Sequence, residues 1–235
     1  MSLIVSGLTK KYGKHTACDN LSLSVEDGST TVLLGPNGAG KSTLIKSIIG
    51  FLRYDGMITV DGVDNRSSAG RRLLGYVSEI PALYPNLTVG EHLEVVARAY
   101  RLTDYKDYAA ELLDRFELTD KKKKFGDELS KGMSQKLNLC IGLLPRPKYL
   151  LLDEPMIGLD PHAIKELKSI IEEHRAAGGG ALICTHMIDS VDMLWDSALI
   201  LKGGHLAASV TKTDLARDGV SLENMFFSLT EGEEA

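Results

Sequence analysis

The sequence of 235 residues lacks any long hydrophobic run. Its apolar stretches are short, such as residues 150–152, whereas a membrane-spanning helix needs about 18 to 20 apolar residues. The first ten residues also lack the charged segment, apolar stretch and small-residue cleavage site of a secretory signal. We therefore expect a protein that resides in the cytoplasm.

Cysteine is scarce, and there is no excess of basic residues. Cys18, Cys140 and Cys184 are odd in number and far apart, which argues against a disulfide framework or a Cys-x-x-Cys metal site. We expect reduced thiols, with Cys184 buried. The formal net charge of −5 makes broad attachment to nucleic acid unexpected. The single basic run, the lysines at 121–124, fits either a solvated loop or a contact with anionic lipid or a partner.

Glycine is concentrated at residues 35–42, which spell GPNGAGKS between an apolar run and a helical pattern. Such a loop turns backbone N–H groups around phosphate oxygens, and the positive end of the next helix faces the same charge. Lys41 would supply a cation to the β- and γ-phosphates, and Ser42 a hydroxyl ligand for Mg²⁺. The pattern predicts a nucleoside triphosphate with magnesium; a glycine-rich turn without a ligand is the alternative. The residues expected at the nucleotide are Gly35, Pro36, Asn37, Gly38, Ala39, Gly40, Lys41, Ser42 and Thr43.

Polar residues also follow two later apolar runs. Asp153 and Glu154 end the run at 150–152, and adjacent carboxylates can serve different tasks. Asp153 would bind magnesium directly or through water, and Glu154 would polarise a water in line with the γ-phosphate. Helix N-capping before Pro155 is the structural alternative for either acid. His186 follows the apolar run at residues 181–184. From that place an imidazole can reach the γ-phosphate as a hydrogen-bond donor.

The apolar patterns predict a single α/β domain over residues 1–235. Short alternating runs between Gly and Asp turns in the first 65 residues favour a small antiparallel sheet. Later, near-continuous apolar runs favour a parallel sheet covered on both faces. These runs lie at residues 149–152, 181–184 and 198–201. Asp160 would cap a helix that has Pro161 at its first position.

Helical periodicity interrupts this α/β pattern. A capping box at residues 88–91 opens one apolar stripe, and two further helical patterns follow before Pro145. We predict an α/β core with its antiparallel sheet at residues 1–83 and 145–205, a helical subdomain at 84–144 and a short C-terminal tail at 206–235. The tail should pack against the core through Leu222, Met225, Phe226 and Leu229.

The order of the motifs resembles that of the ATP-binding cassette (ABC) ATPases, the nucleotide-hydrolysing subunits of ABC transporters, over nearly the whole chain. Residues 35–42 match the family's Walker A loop, and residues 150–154 match Walker B. Residues 158–160 match the D-loop, and His186 matches the switch histidine. Tyr12 sits where the family places an aromatic ring that stacks on adenine.

The resemblance implies a P-loop NTPase core with an N-terminal antiparallel β subdomain and an inserted helical subdomain. It also implies ATP and Mg²⁺ as cofactors, ATP hydrolysis with Glu154, His186 and Lys41 as catalytic residues, and a D-loop contact through Asp160.

Two departures from the family pattern affect the site. Residues 129–133, LSKGM, resemble the signature Leu-Ser-Gly-Gly-Gln, with Ser130 and Gly132 retained and with Lys131 and Met133 as substitutions. Ser130 and the helix N-terminus can still meet a γ-phosphate. Glu79 stands where the family has a glutamine that touches magnesium; a carboxylate also binds a hard cation but adds negative charge beside the phosphates. We expect altered coupling with binding retained.

The resemblance also implies partners. In the family, the signature of one subunit completes the ATP site of a second, so we expect a homodimer or a heterodimer. A transmembrane permease subunit would contact the helical subdomain and residues 79–84, which would place the chain at the inner face of the cell membrane. The C-terminal tail is similar to that of export-type ATPases. The alternatives are a soluble ABC protein that acts as a nucleotide-gated clamp on the ribosome or DNA, and a regulatory subunit that hardly turns ATP over.

Overall fold

The computed structural model describes residues 2–230, which contain two β-sheets. The smaller sheet is antiparallel and has the strand order β2-β1-β4-β5. Its strands are β1 (Ser2–Tyr12), β2 (His15–Glu26), β4 (Asp55–Val60) and β5 (Val63–Asp64). This is the antiparallel sheet that the alternating pattern predicted.

The larger sheet has six strands in the order β10-β9-β3-β8-β7-β6. Five are parallel, and β10 joins the edge in the antiparallel direction. The strands are β3 (Thr30–Leu34), β6 (Leu74–Val77), β7 (Tyr149–Asp153), β8 (Gly180–Cys184), β9 (Ser197–Lys202) and β10 (His205–Thr211). Every residue of β3, β7 and β8 is buried, which explains their largely apolar sequences.

Nine α-helices occur within residues 2–230. They are α1 (Lys41–Ile48), α2 (Ser68–Arg72), α3 (Val89–Tyr100), α4 (Lys106–Arg115), α5 (Lys131–Leu143), α6 (Pro161–Ala176), α7 (Ile188–Val191), α8 (Lys212–Asp218) and α9 (Leu222–Thr230). Thr88 and Glu91 form the capping box that opens α3, and the carboxylate of Asp160 accepts the Ala163 N–H at 2.9 Å at the start of α6. None of the helices in this part of the chain is both long and apolar enough to span a bilayer.

The hydrophobic core forms on both faces of the large sheet, because successive strand residues point to opposite sides. Leu33 and Leu151 face the antiparallel sheet and α1, whereas Val32 and Leu152 face the helices on the other side. The three cysteines are free and buried, with Cys184 among them as predicted. Burial raises the pKa of Cys18 to about 11, so this thiol stays protonated at neutral pH.

The segment after β9 contains elements that the sequence patterns did not predict. Strand β10 alternates between half-buried and exposed residues, and α8 buries Leu215 alone, so both have weak hydrophobic signals. Helix α9 packs as predicted: Leu222 and Phe226 enter the core, and Met225 and Leu229 lie against it. The α/β fold class is confirmed.

Candidate functional site

The glycine loop lies between the end of β3 and the start of α1, and its shape depends on glycine. Gly38 and Gly40 have φ angles of 81° and 106°, which side chains disfavour. A Cβ atom at position 40 would overlap the carbonyl oxygen of Ala17, and one at position 35 would lie 2.6 Å from the carbonyl oxygen of Leu201. The backbone of the loop therefore packs directly on neighbouring strands.

Lys41, the first residue of α1, lies over this loop. Its ammonium donates to the carbonyl oxygens of Gly35 at 2.5 Å and Pro36 at 3.2 Å. Within residues 2–230 it forms no ion pair with a carboxylate. The charge is thus held by neutral groups at the positive end of a helix, which suits an anionic phosphate.

A cavity of about 520 Å³ opens beside the loop. The residues that line it are Tyr12, His15, Ala17, Asn37, Gly38, Gly40, Lys41, Ser42, Thr43, Glu79, Asp153, Glu154 and His186. The carboxyl ends of the neighbouring parallel strands β6, β7 and β8 meet at one edge of the sheet, and this brings together Glu79, Asp153, Glu154 and His186. The cavity thus has a cationic side at the loop and an anionic side at the sheet edge.

Asp153 and Glu154 are both buried at this edge, and Asp153 is the more deeply buried of the two. Burial, followed by the nearby charges of Glu79 and Glu154, raises its pKa, while a hydrogen bond from Ser42 opposes the rise. Carboxylates crowded beside a hydroxyl form a hard-oxygen donor set, and a divalent cation would relieve their repulsion. Ser42, Asp153 and Glu79 therefore fit a magnesium ion.

Glu154 adopts a left-handed backbone conformation with φ of 48°. This turn directs its carboxylate toward the end of β8. There, one oxygen accepts the Thr185 hydroxyl at 3.0 Å, and the other accepts the His186 backbone N–H at 3.0 Å and contacts the imidazole Nδ1 at 2.6 Å. The strained backbone and three partners hold this carboxylate in one orientation at the cavity wall.

Comparison with known proteins identifies the family. The sequence profile of a family described as "ABC transporter" matches residues 18–157, which is more than half of the chain. The chain belongs to the ABC transporter family. It is an ATP-binding subunit of that family and an ATPase.

Individual relatives of this ABC ATPase match it over most of its length. The ABC-type transporter ATP-binding protein EcsA of Bacillus subtilis is 34% identical, over 98% of this chain and 97% of that protein. The linearmycin resistance ATP-binding protein LnrL of the same organism is 35% identical, over 91% of this chain and 70% of that protein. A solved "ATP binding subunit of ABC transporter" is 35% identical and superposes with a TM-score of 0.93, over 97% of this chain and 99% of the other.

Some of the expected nucleotide residues lie outside the cavity of this ABC ATPase. Gly35, Pro36 and Ala39 belong to the loop but do not line the cavity. Nor do Ser130, Gly132 and Asp160, which lie near the starts of α5 and α6. A Cβ atom at Gly132 would lie 3.1 Å from the carbonyl oxygen of Gly158, so residues 129–133 and 158–160 are neighbours outside the cavity.

Three contributors to the ABC ATPase site were missed in the sequence. His15 and Ala17 line the cavity beside Tyr12, and Thr185 orients Glu154. The signal for His15 was available, because a two-residue turn at Gly13 and Lys14 pairs it with Tyr12 across the hairpin. Thr185 could not be placed without knowing that β7 and β8 are adjacent.

Proposed function

We propose that this ABC ATPase binds MgATP in the cavity, closes over it as a dimer, hydrolyses it and drives a separate membrane permease that exports its substrate. The observation that supports this most strongly is the meeting of Lys41, Ser42, Asp153, Glu154 and His186 in one cavity. A cation, a hard-oxygen set, a positioned carboxylate and an imidazole are the components that phosphoryl transfer to water needs.

The residues divide these tasks by position. Lys41 and the loop N–H groups bind the β- and γ-phosphates, and Tyr12, which is 48% exposed, offers a ring face to the adenine. Ser42, Asp153 and Glu79 hold magnesium, which when bound supplies charge neutralisation at the phosphate oxygens. Glu154 accepts the proton of the attacking water, and Thr185 and His186 keep its carboxylate oriented.

A second subunit completes the site. Ser130 and Gly132 lie outside the cavity, on the face that also carries Gly158. Head-to-tail closure by a homodimer or a heterodimer would bring the positive start of α5 in one copy to the phosphates held by the other. Lys131 is exposed at this helix start and adds a positive charge there.

The permease contact is proposed at the exposed apolar residues that follow Glu79 in the chain and at Phe51. Ile80 and Tyr84 are 77% and 64% exposed, and Phe51 is 73% exposed at the rim of a mostly apolar groove of about 260 Å³. The Phe51 ring contacts Tyr76 of β6, the strand that leads to Ile80, with the ring centroids 6.2 Å apart, and grouped exposed apolar side chains mark an interaction surface. Through this contact the chain would reside at the cytoplasmic face of the membrane.

Export is proposed from the names of relatives. The Escherichia coli protein LptB, 32% identical over 92% of this chain and 93% of that protein, is named as part of a lipopolysaccharide export system. LnrL carries the word resistance in its name. The soluble-clamp alternative gains no support, since these relatives and EcsA are named as transport, export or resistance proteins.

The test is the variant Glu154→Gln, which keeps the shape of the side chain but cannot accept a proton. We expect ATP hydrolysis to fall at least about 100-fold, the lower part of the range for general-base removal, and an ATP-bound dimer to accumulate in light-scattering chromatography. Glu172→Gln, on the exposed face of α6, is the matched control and should behave as wild type. An unchanged hydrolysis rate in Glu154→Gln would reject Glu154 as the base.

A further inference from the structure

Asn138 links helix α5 to the anionic edge of the cavity. It is buried in α5, and its side-chain amide donates to the backbone carbonyl of Ser78 at 2.8 Å. Ser78 is the first residue after β6 and directly precedes Glu79. The bond joins residues 60 positions apart in the chain, so it ties two separate elements together.

Helix α5 and strand β6 are packed closely below this bond. A Cβ atom at Gly142 would lie 2.6 Å from Cγ2 of Val77 and 2.9 Å from the carbonyl oxygen of Tyr76. A Cβ atom at Gly75 would lie 2.7 Å from the carbonyl oxygen of Gly142. Because backbone meets backbone here, a shift of α5 has to be shared with the end of β6.

Glu79 is the second residue after this strand end. It is exposed and lines the cavity with Asp153, close enough for its charge to contribute to the raised pKa of Asp153. The Ser78 hydroxyl donates to the carbonyl oxygen of Ile80 at 2.8 Å, which makes residues 78–80 a local turn. Asn138 anchors this turn from outside, and Glu79 lies at its centre.

We propose that Asn138 is a positioning residue that places Glu79 for magnesium binding and so couples the helix that begins at the signature, α5, to the metal edge of the cavity. The inference rests on the proposed role of Glu79 as a magnesium ligand. Without the amide, the Ser78 carbonyl loses a buried donor and the turn at 78–80 loosens. Glu79 then binds the ion from a broader set of positions, which lowers the affinity for metal.

The test measures metal affinity in the full chain by two methods. Mn²⁺ binding in the presence of a non-hydrolysable ATP analogue is followed by electron paramagnetic resonance, and the Mg²⁺ concentration for half-maximal ATPase activity is determined separately. Asn138→Leu, which has a similar volume but no donor, should raise both constants about three- to tenfold, the effect of one lost hydrogen bond. ATP affinity in EDTA should stay within about twofold of wild type, because Asn138 does not touch the glycine loop.

Matched variants isolate the hydrogen bond from general damage to α5. Asn138→His keeps an N–H donor near the same place and should restore the wild-type constants. Gln135→Leu makes the same amide-to-leucine change in the same helix, at a buried Nε2 that donates no hydrogen bond within residues 2–230, and should not shift metal affinity. If Asn138→Leu does not fold, Asn138→Ser removes the amide with a small polar side chain and carries the same expectation.

Glu79→Ala separates the inference from the proposed function. If Glu79→Ala weakens Mn²⁺ binding but neither Asn138→Leu nor Asn138→Ser does, the positioning role is overturned and the magnesium role of Glu79 stands. If Glu79→Ala leaves Mn²⁺ binding unchanged, the magnesium role of Glu79 fails, and the inference fails with it.

Discussion

At the scale of single residues, Gly40 combines two constraints in one position. Its φ of 106° disfavours a side chain, and a Cβ there would overlap the carbonyl oxygen of Ala17. Gly38 has a φ of 81° and nothing within 4 Å of such a Cβ. A side chain at either position would strain the backbone, but only a side chain at position 40 would also overlap a neighbouring atom.

We expect Gly40→Ala to destabilise the protein more than Gly38→Ala, as measured by urea unfolding. The strain costs about 1–2 kcal/mol in either variant, and overlap with rigid backbone adds about 1–3 kcal/mol at position 40. Nucleotide affinity should fall most in Gly40→Ala, because the loop must move away from Ala17. Equal unfolding free energies for the two variants would contradict the overlap argument.

Lys41 supplies the positive charge of the cavity, so Lys41→Ala should weaken ATP binding about 10- to 150-fold, the value of a hydrogen bond to a charged group. Calorimetric titration with MgATP measures this change. Lys165→Ala, an exposed lysine of α6 outside the cavity, is the control and should bind as wild type. Equal affinity in Lys41→Ala and Lys165→Ala would place the phosphates elsewhere.

We expect the ionised Asp153 carboxylate to lower the stability of the metal-free protein. Burial raises its pKa, so the folded state resists ionisation that the unfolded chain allows above about pH 4. Stability is therefore lost as pH rises through the interval between the unfolded and folded pKa values. Asp153→Asn should show a higher Tm than wild type at pH 7 in EDTA, and the difference should vanish below about pH 4. A lower Tm for Asp153→Asn in EDTA would contradict this.

At the scale of elements, the contact of α5 with β6 depends on Gly142. Gly142→Ala should lower the unfolding free energy by about 1–3 kcal/mol despite the better helix propensity of alanine, because Val77 and the Tyr76 carbonyl leave no space. In Gly90→Ala, within α3, the nearest atoms belong to the flexible Lys122 side chain, so this control should be neutral or stabilising. Chemical denaturation measures the unfolding free energy of both variants. An unchanged unfolding free energy in Gly142→Ala would contradict the tight packing of α5 on β6.

The sequence predicted those helices and strands that have a strong apolar pattern or a capping residue within the same segment. The parallel strands, the Thr88 capping box and the Asp160 cap are of this kind, since each depends on residues within one segment. Apart from the packing of α9 against the core, specific contacts between elements could not be predicted. The bonds of Thr185 to Glu154 and of Asn138 to Ser78 follow from the order of strands and the packing of helices, which local periodicity does not encode.

At the scale of the whole molecule, ion pairs join the helices of residues 84–144 to helix α6. Arg115, at the end of α4, donates from Nε to Glu166 and from its two terminal nitrogens to Glu173, each at 2.8 Å. Lys136 of α5 pairs with Asp160 at 2.7 Å and with Glu117 at 3.1 Å. Since Asp160 also caps α6, the start and the middle of this helix are both tied to the helical segment.

Arg115 is the more informative of the two links, because its side chain is only 18% exposed and binds Glu173 with two nitrogens. Arg115→Met should lower the unfolding free energy by about 1–2 kcal/mol, between the values for exposed and buried pairs. The Arg115 bond also lowers the pKa of Glu173, so this contribution is present above about pH 4 and lost as acid protonates Glu173. Arg98→Met, in the exposed pair with Glu94, should change stability by less than about 0.5 kcal/mol. Urea unfolding at pH 7 and pH 3 measures both variants, and an Arg115→Met effect that does not shrink at pH 3 would show that packing, not charge, holds α4 to α6.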